Sequence, residues 1–229
     1  MNIASFLAQI GLVSRSRFPQ VLKQNLLYIN GQITKHLCDM SDGDQICYDG
    51  QSLVYRDRYT ILLHKPCGYV CSDRDERGLP SYQQLLGDYP YRKLVSCAGR
   101  LDANSRGLVL CTSDGNLIHR LTHPKSKLPK TYLVQTKFPL SDGDLCMLAQ
   151  GIVLDDGYQT LPCHVSRESS SSYDRVSLTI VEGKFHQIKR MMIAVHNQVE
   201  DLHRIAIGPY ILGDLPSGKW KEIKMSISI

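Results

Sequence analysis

No hydrophobic run in the 229-residue sequence approaches the length needed to cross a bilayer. The apolar start, Ile3 to Val13, is broken by Gln9 and has no basic residue before it, so it does not read as a cleavable signal. The expectation is a cytoplasmic protein with no membrane partner. The eight cysteines are scattered and lack the spacing of a secreted disulfide framework, which points to free thiols in a reducing compartment. Cys67 and Cys71 lie near His64, but no second close cysteine pair completes a zinc site, so no metal is expected. Internal repeats and a glycine-rich phosphate cradle are also missing. Low complexity is confined to Ser169–Ser172, read as a flexible loop.

The composition that remains is that of an ordinary globular protein: 42% hydrophobic, 21% charged, long enough for one or two domains. Lysine and arginine total 27 against 22 acids, a net charge of +5. That excess permits a nucleic-acid partner without requiring one.

The most informative stretch is residues 95–115. Val109-Leu110-Cys111-Thr112 suits a buried strand, Ser113-Asp114-Gly115 is turn chemistry, and Asn116 to Leu121 reads as a short helix. Gly99 to Arg106 is then a loop between buried segments. It carries one carboxylate, Asp102, between Arg100 and Arg106. A surface ion pair is the plain reading of such a group. The alternative is an acid kept ionised by positive charge beside a polyanionic substrate. Gly99-Arg100-Leu101-Asp102, then Gly107-Leu108 and Thr112-Ser113-Asp114-Gly115, resembles the motif around the catalytic aspartate of the pseudouridine synthases, with Ser105 where threonine is more usual. The resemblance implies that Asp102 is catalytic.

Residues 1–57 read as a small separate unit. Phe6, Leu7 and Ile10 have helical spacing that Gly11 ends. A second helix is expected from a cap at Ser14 or Ser16 to Gln24, with Pro19 in its first turn. Asn30-Gly31 between Leu27–Ile29 and Gln32–Thr34 is a hairpin signal, and Ile46–Tyr48 adds a strand. Two helices followed by small strands, with Val13-Ser14-Arg15-Ser16-Arg17, Ile29-Asn30-Gly31 and Gly43-Asp44, resemble the S4 RNA-binding domain. That resemblance implies phosphate contacts from Arg15, Arg17, Lys23 and Lys35. Arg56-Asp57-Arg58 marks the joint, giving units 1–57 and 58–229. Because the apolar residues of the second unit all follow Tyr59, it is expected to fold without the first.

In the second unit, strands are expected at Tyr59–Leu63, Gly68–Cys71, Thr131–Val134, Ile152–Leu154, Leu161–Val165, Arg175–Val181, Leu202–Ile207 and Trp220–Ile229. Short helices are expected at Pro80–Leu86 and, capped by Ser141, at Asp142–Gln150. Glu182-Gly183 should open a helix running to about His196 whose cations lie near its start, where the helix dipole disfavours them unless an anion faces them. Three further segments resemble synthase motifs. Lys65-Pro66 with Gly68 and Ser72 reads as a structural turn under the catalytic loop, with the preceding His64 a scaffold residue. Lys130-Thr131-Tyr132 matches the motif whose tyrosine lies in the active site. His186-Gln187-Ile188-Lys189-Arg190-Met191 matches the motif whose basic residue pairs with the aspartate; that residue falls on Lys189, with Arg190 the alternative.

The resemblance implies an α+β chain: an S4-like front domain, then a mixed, mainly antiparallel catalytic sheet. It implies isomerisation of uridine to pseudouridine in ribosomal RNA, most like the group acting on small-subunit 16S RNA, by a monomer working on a partly assembled subunit without a cofactor. Catalysis would rest on Asp102, Tyr132 and Lys189. Arg15, Arg17, Lys23, Arg100, Arg106, Lys125, Lys127, Lys130 and Arg190 would hold phosphates. Large-subunit 23S RNA and a non-catalytic assembly role are the alternatives. A hydrolase would need a second placed acid, which the sequence does not offer.

Overall fold

The computed structural model describes residues 1–169 and 173–223. Most of the expected Ser169–Ser172 loop and the end of the expected last strand, 224–229, lie outside the described residues. Helix α1 (Ile3–Ile10) is capped by the Asn2 side chain and ends at Gly11, which takes the left-handed conformation. Helix α2 (Phe18–Lys23) is shorter than expected. Ser14 and Ser16 hydrogen-bond each other at 3.1 Å instead of capping it, and Pro19 occupies its first turn. Strands β1 (Leu27–Ile29), β2 (Gln32–Ile33), β3 (Gln45–Tyr48) and β4 (Gln51–Val54) form an antiparallel sheet in the order β2-β1-β3-β4.

The second sheet begins with β5 (Thr60–Lys65), β6 (Ser96–Ala98) and β7 (Arg106–Thr112). Helix α3 (Gly115–Thr122) follows, with the Asp114 carboxylate accepting from Asn116 and Leu117 at its start. Then come β8 (Lys130–Thr136), α4 (Asp142–Gln150), β9 (His164–Arg167), β10 (Arg175–Ile180), α5 (Gln187–Ala194), β11 (Val199–Ile207), β12 (Tyr210–Ile211) and β13 (Trp220–Glu222). Helix α4 has the expected bounds, fixed by a reciprocal Ser141–Asp144 capping box. Among the described residues the sheet order is β13-β5-β7-β11-β8-β10-β9, with β6 beside β7 and β12 beside β11. Strands β7 and β11 run parallel and every other pair is antiparallel. The fold is mixed α+β.

Several expected elements of the second unit differ: the strand expected at Leu161–Val165 lies at His164–Arg167, and the helix expected over Pro80–Leu86 is a 3-10 turn from Tyr82 to Leu86. Gly68–Cys71 forms no strand; Val70 makes one isolated bridge to Ser81. Ile152–Leu154 makes one bridge, Val153 to Gln159, because a turn at Gly157 brings the chain straight back. Helix α5 starts at Gln187, since the Gln187 side chain accepts from Lys184 N at 2.9 Å and closes a turn ahead of the helix.

Strands β5 and β7 are buried almost throughout, so their side chains face two apolar clusters. Ile61, Leu63, Val109 and Cys111 belong to the larger; Leu62, Leu108 and Leu110 belong to the smaller. The larger cluster continues into residues 1–57 through Ile3, Phe6, Leu7 and Tyr55. Tyr91 joins the halves: its ring stacks on Tyr59 at 4.2 Å, lies 6.2 Å from Phe6, and its hydroxyl donates to Val54 O at 2.7 Å. The second unit's core therefore does not end at Tyr59, contrary to the expectation from sequence.

Candidate active site

The register of four strands builds the floor of the site. Lys65 on β5 pairs with Gly107 on β7, Gly107 with Arg204 on β11, and Arg204 with Tyr132 on β8. Directly paired residues point to one face, so these four positions form a row across the sheet. The face is that of Ile61 and Leu63, four and two residues before Lys65. Gly107 has φ +118°, and a Cβ there would lie 2.2 Å from Arg204 O. Only glycine allows β11 to approach this closely.

Lys65 is fully buried and donates to Pro66 O at 2.9 Å and Tyr69 O at 2.8 Å, fixing the turn after β5. Burial pushes its ammonium below the usual lysine range. Arg204 is also buried. Its Nε donates to Leu108 O at 2.8 Å and its Nη1 to Arg100 O at 3.2 Å, so a strand residue grips the loop above it. Its guanidinium lies 6.0 Å from the Tyr132 ring centre. Tyr132 is buried with its ring on this floor.

The loop of Gly99–Ser105 crosses above the row. Gly68 N donates to Ala103 O at 2.8 Å, and Ser105 N to Asp102 O at 3.1 Å. Asp102 stays about one-third exposed, at 33%. Lys189, in the first turn of α5, donates to Asp102 Oδ2 at 2.7 Å and to Asn104 Oδ1 at 2.6 Å. His186 Nε2 lies 3.3 Å from Asp102 Oδ1. The anion that a cation at this helix start requires is thus Asp102.

Sequence reading did not single out Arg204, His186 or Asn104 as site residues. The embedding of Arg204 in an apolar strand was the one available signal. His64 is held by Leu215 O, 2.7 Å from Nδ1, and stacks on His203 with ring centres 5.2 Å apart. Alternation along β5 puts that pair on the other face from Lys65.

The basic residues divide. Arg190 pairs with Asp155 at 2.5 Å and Asp156 at 2.7 Å, away from Asp102. Arg106 makes a two-pronged bond to Asp201, Nε to Oδ1 at 2.9 Å and Nη2 to Oδ2 at 2.7 Å. Lys130 donates to Leu128 O at 3.0 Å, and burial with the nearby Arg204 charge lowers its pKa. Arg15, Arg17, Lys23, Arg100, Lys125 and Lys127 are exposed. Among the described residues, no three His, Cys, Asp or Glu side chains gather as a metal site would need. No described helix is long and apolar enough to cross a membrane.

Asp102, one-third exposed, is thus clamped by Lys189 on the loop that the buried Arg204, register partner of Tyr132, holds from below. Residues 59–194 match the family described as RNA pseudouridylate synthase, and the chain belongs to that family. It is 39% identical to the ribosomal small subunit pseudouridine synthase A of Pasteurella multocida, covering 97% of this chain and 96% of the relative. To the protein of the same name from Haemophilus influenzae it is 36% identical, covering 99% and 97%. A crystal structure of a pseudouridylate synthase superposes with a TM-score of 0.69 at 34% identity, covering 99% of this chain and 97% of that one.

Proposed function

We propose that this chain isomerises one uridine of the small-subunit ribosomal RNA to pseudouridine, with Asp102 as the catalytic carboxylate. The observation that carries the assignment is the Asp102–Lys189 contact of 2.7 Å on the loop that Arg204, register partner of Tyr132, holds by the Arg100 carbonyl. The reaction breaks the N1–C1′ bond, turns the base and joins C5 to C1′, so its atoms balance within the uridine. Asp102 acts on the sugar in ionised form, as nucleophile at C1′ or as base at C2′. Lys189 donates to one carboxylate oxygen and aims the group. Tyr132 offers its face to the detached uracil and its phenol to the C5 proton. The uridine must first leave its stack, at a cost of a few kcal/mol. Phosphate contacts from exposed Arg100, Lys125 and Lys127 offset that cost.

Residues 1–57 serve as an S4-like RNA-binding domain, supported by the α1–α2 pair, the small sheet and exposed Arg15, Arg17 and Lys23. The choice of small-subunit RNA is supported by the names of the relatives matched along almost the whole chain. The enzyme acts as a monomer in the cytoplasm, on a partly assembled subunit in which the uridine is still reachable. Tritium release from RNA labelled at uridine C5 tests the chemistry. Wild type releases the label; Asp102→Asn binds the same RNA and releases none. A variant keeping a tenth of the wild-type rate overturns the role of Asp102, since one carboxylate charge is then worth no more than about 1.4 kcal/mol. Pseudouridine mapping across both ribosomal RNAs in a strain lacking the protein tests the target. A uridine modified only in large-subunit RNA overturns the small-subunit assignment.

A further inference from the structure

Phe185 is 77% exposed, although it stands beside a fully organised site. Exposure alone is common for a single apolar side chain, but four further observations concern this one. Its ring stacks on His186 with centres 3.8 Å apart and planes at 19°. The other end of His186 lies 3.3 Å from the Asp102 carboxylate. The turn carrying both rings is braced from inside. Buried Gln187 donates to Glu182 Oε1 at 2.6 Å, and Glu182 accepts as well from Leu161 N at 3.0 Å and from Tyr158 Oη at 2.8 Å. His186 takes a left-handed φ of +50°, a conformation that non-glycine residues hold only where the surroundings impose it.

A rigid turn that displays an aromatic pair to solvent next to a catalytic carboxylate has the form of a stacking platform. Extruding a uridine deprives its neighbour of a stacking partner. Unpaired RNA bases are commonly held on phenylalanine and histidine faces, and any base has a face to offer. We infer that Phe185, seated on His186, stacks against the nucleobase adjacent to the target uridine and takes the place of the extruded base. This subsite deepens the proposed function and rests on it.

The test uses the full chain and a transcript of the small-subunit RNA segment carrying the mapped uridine, with 2-aminopurine at the adjacent position. The fluorophore is dim while stacked and bright when unstacked, so wild-type binding leaves it quenched. Phe185→Leu leaves it bright and raises KM about tenfold, in the range that one base–aromatic stack supports, with kcat within about twofold of wild type. Phe185→Tyr behaves as wild type. Equal quenching and KM in Phe185→Leu overturn the inference. So does a loss confined to kcat, which assigns Phe185 to holding His186 against Asp102. If wild type releases no tritium from the C5-labelled transcript, the reaction assignment fails, and the fluorescence still decides the platform by itself.

Discussion

Lys189 and Arg190 are adjacent in sequence and have opposite tasks. One helical step separates their side chains by about 100°, enough to send Lys189 to Asp102 and Arg190 to Asp155 and Asp156. Lys189→Met removes the donor from both Asp102 and Asn104, so turnover should fall at least a hundredfold, consistent with losing a charge-assisted bond worth ~3 kcal/mol. Lys189→Arg keeps the charge and should restore part of the rate. Arg190→Met should lower turnover less than fivefold, because Asp155 and Asp156 are well exposed and solvent screens their ion pairs. Single-turnover rates on one RNA check the ordering, and a larger loss in the Arg190 variant would reverse the two roles.

The parallel β7–β11 pair is the element on which the site depends. It sets Arg204 beside Gly107, and through Arg204 it holds the carbonyl of Arg100. Gly107→Ala must displace β11 or adopt an unfavourable φ, and should cost ~3 kcal/mol or more in urea unfolding. Gly115→Ala is the control, since nothing lies near a Cβ at that helix start. On the opposite face, His203 packs on His64 near Arg106. Burial, then the Arg106 and His64 charges, lower its pKa to about 4, while Asp201 opposes the shift. The unfolded chain takes this proton near pH 6.5, so between about 6.5 and 4 it binds more protons than the folded state. His203 therefore contributes stability above that window which is lost as pH falls through it. In His203→Gln, the decline of melting temperature from pH 7 to pH 4 should be shallower than in wild type. An identical decline would exclude His203 as a contributor.

At the scale of the whole molecule, the continuous cluster around Phe6, Tyr55, Tyr59 and Tyr91 binds the first 57 residues to the synthase sheet. Removing residues 1–57 would expose Tyr91 and the larger cluster, so truncation is an unsound test of RNA binding. Replacing Arg15, Arg17 and Lys23 with alanine leaves the core intact, since all three are exposed. If each contacts a phosphate, the slope of log affinity against log salt should flatten by about 2, at ~0.7 per phosphate for single-stranded RNA. An unchanged slope would mean that this face does not meet RNA.

Local chemistry was enough to place several elements from sequence. Asn30-Gly31 demands a hairpin, Gly11 ends α1, Ser141 with Asp144 starts α4, and alternation in Arg175–Ile180 marks a half-buried strand. The loop bearing Asp102 and the cation opposite it were legible through their resemblance to the synthase motifs, and the helix dipole added only that cations at this helix start call for an anion. Local signals ended where distant segments compete for the same backbone. The start of α5 moved because the Gln187 side chain closes a turn with Lys184, and Gly68–Cys71 lacks a neighbouring strand to pair with. The choice of Lys189 over Arg190 depended on the direction in which α5 faces the loop. The row of Lys65, Gly107, Arg204 and Tyr132 is a matter of register across four strands, and register is fixed only when both faces of the sheet pack. The sequence determined which groups could do the chemistry; the packed sheet decided which of them meet.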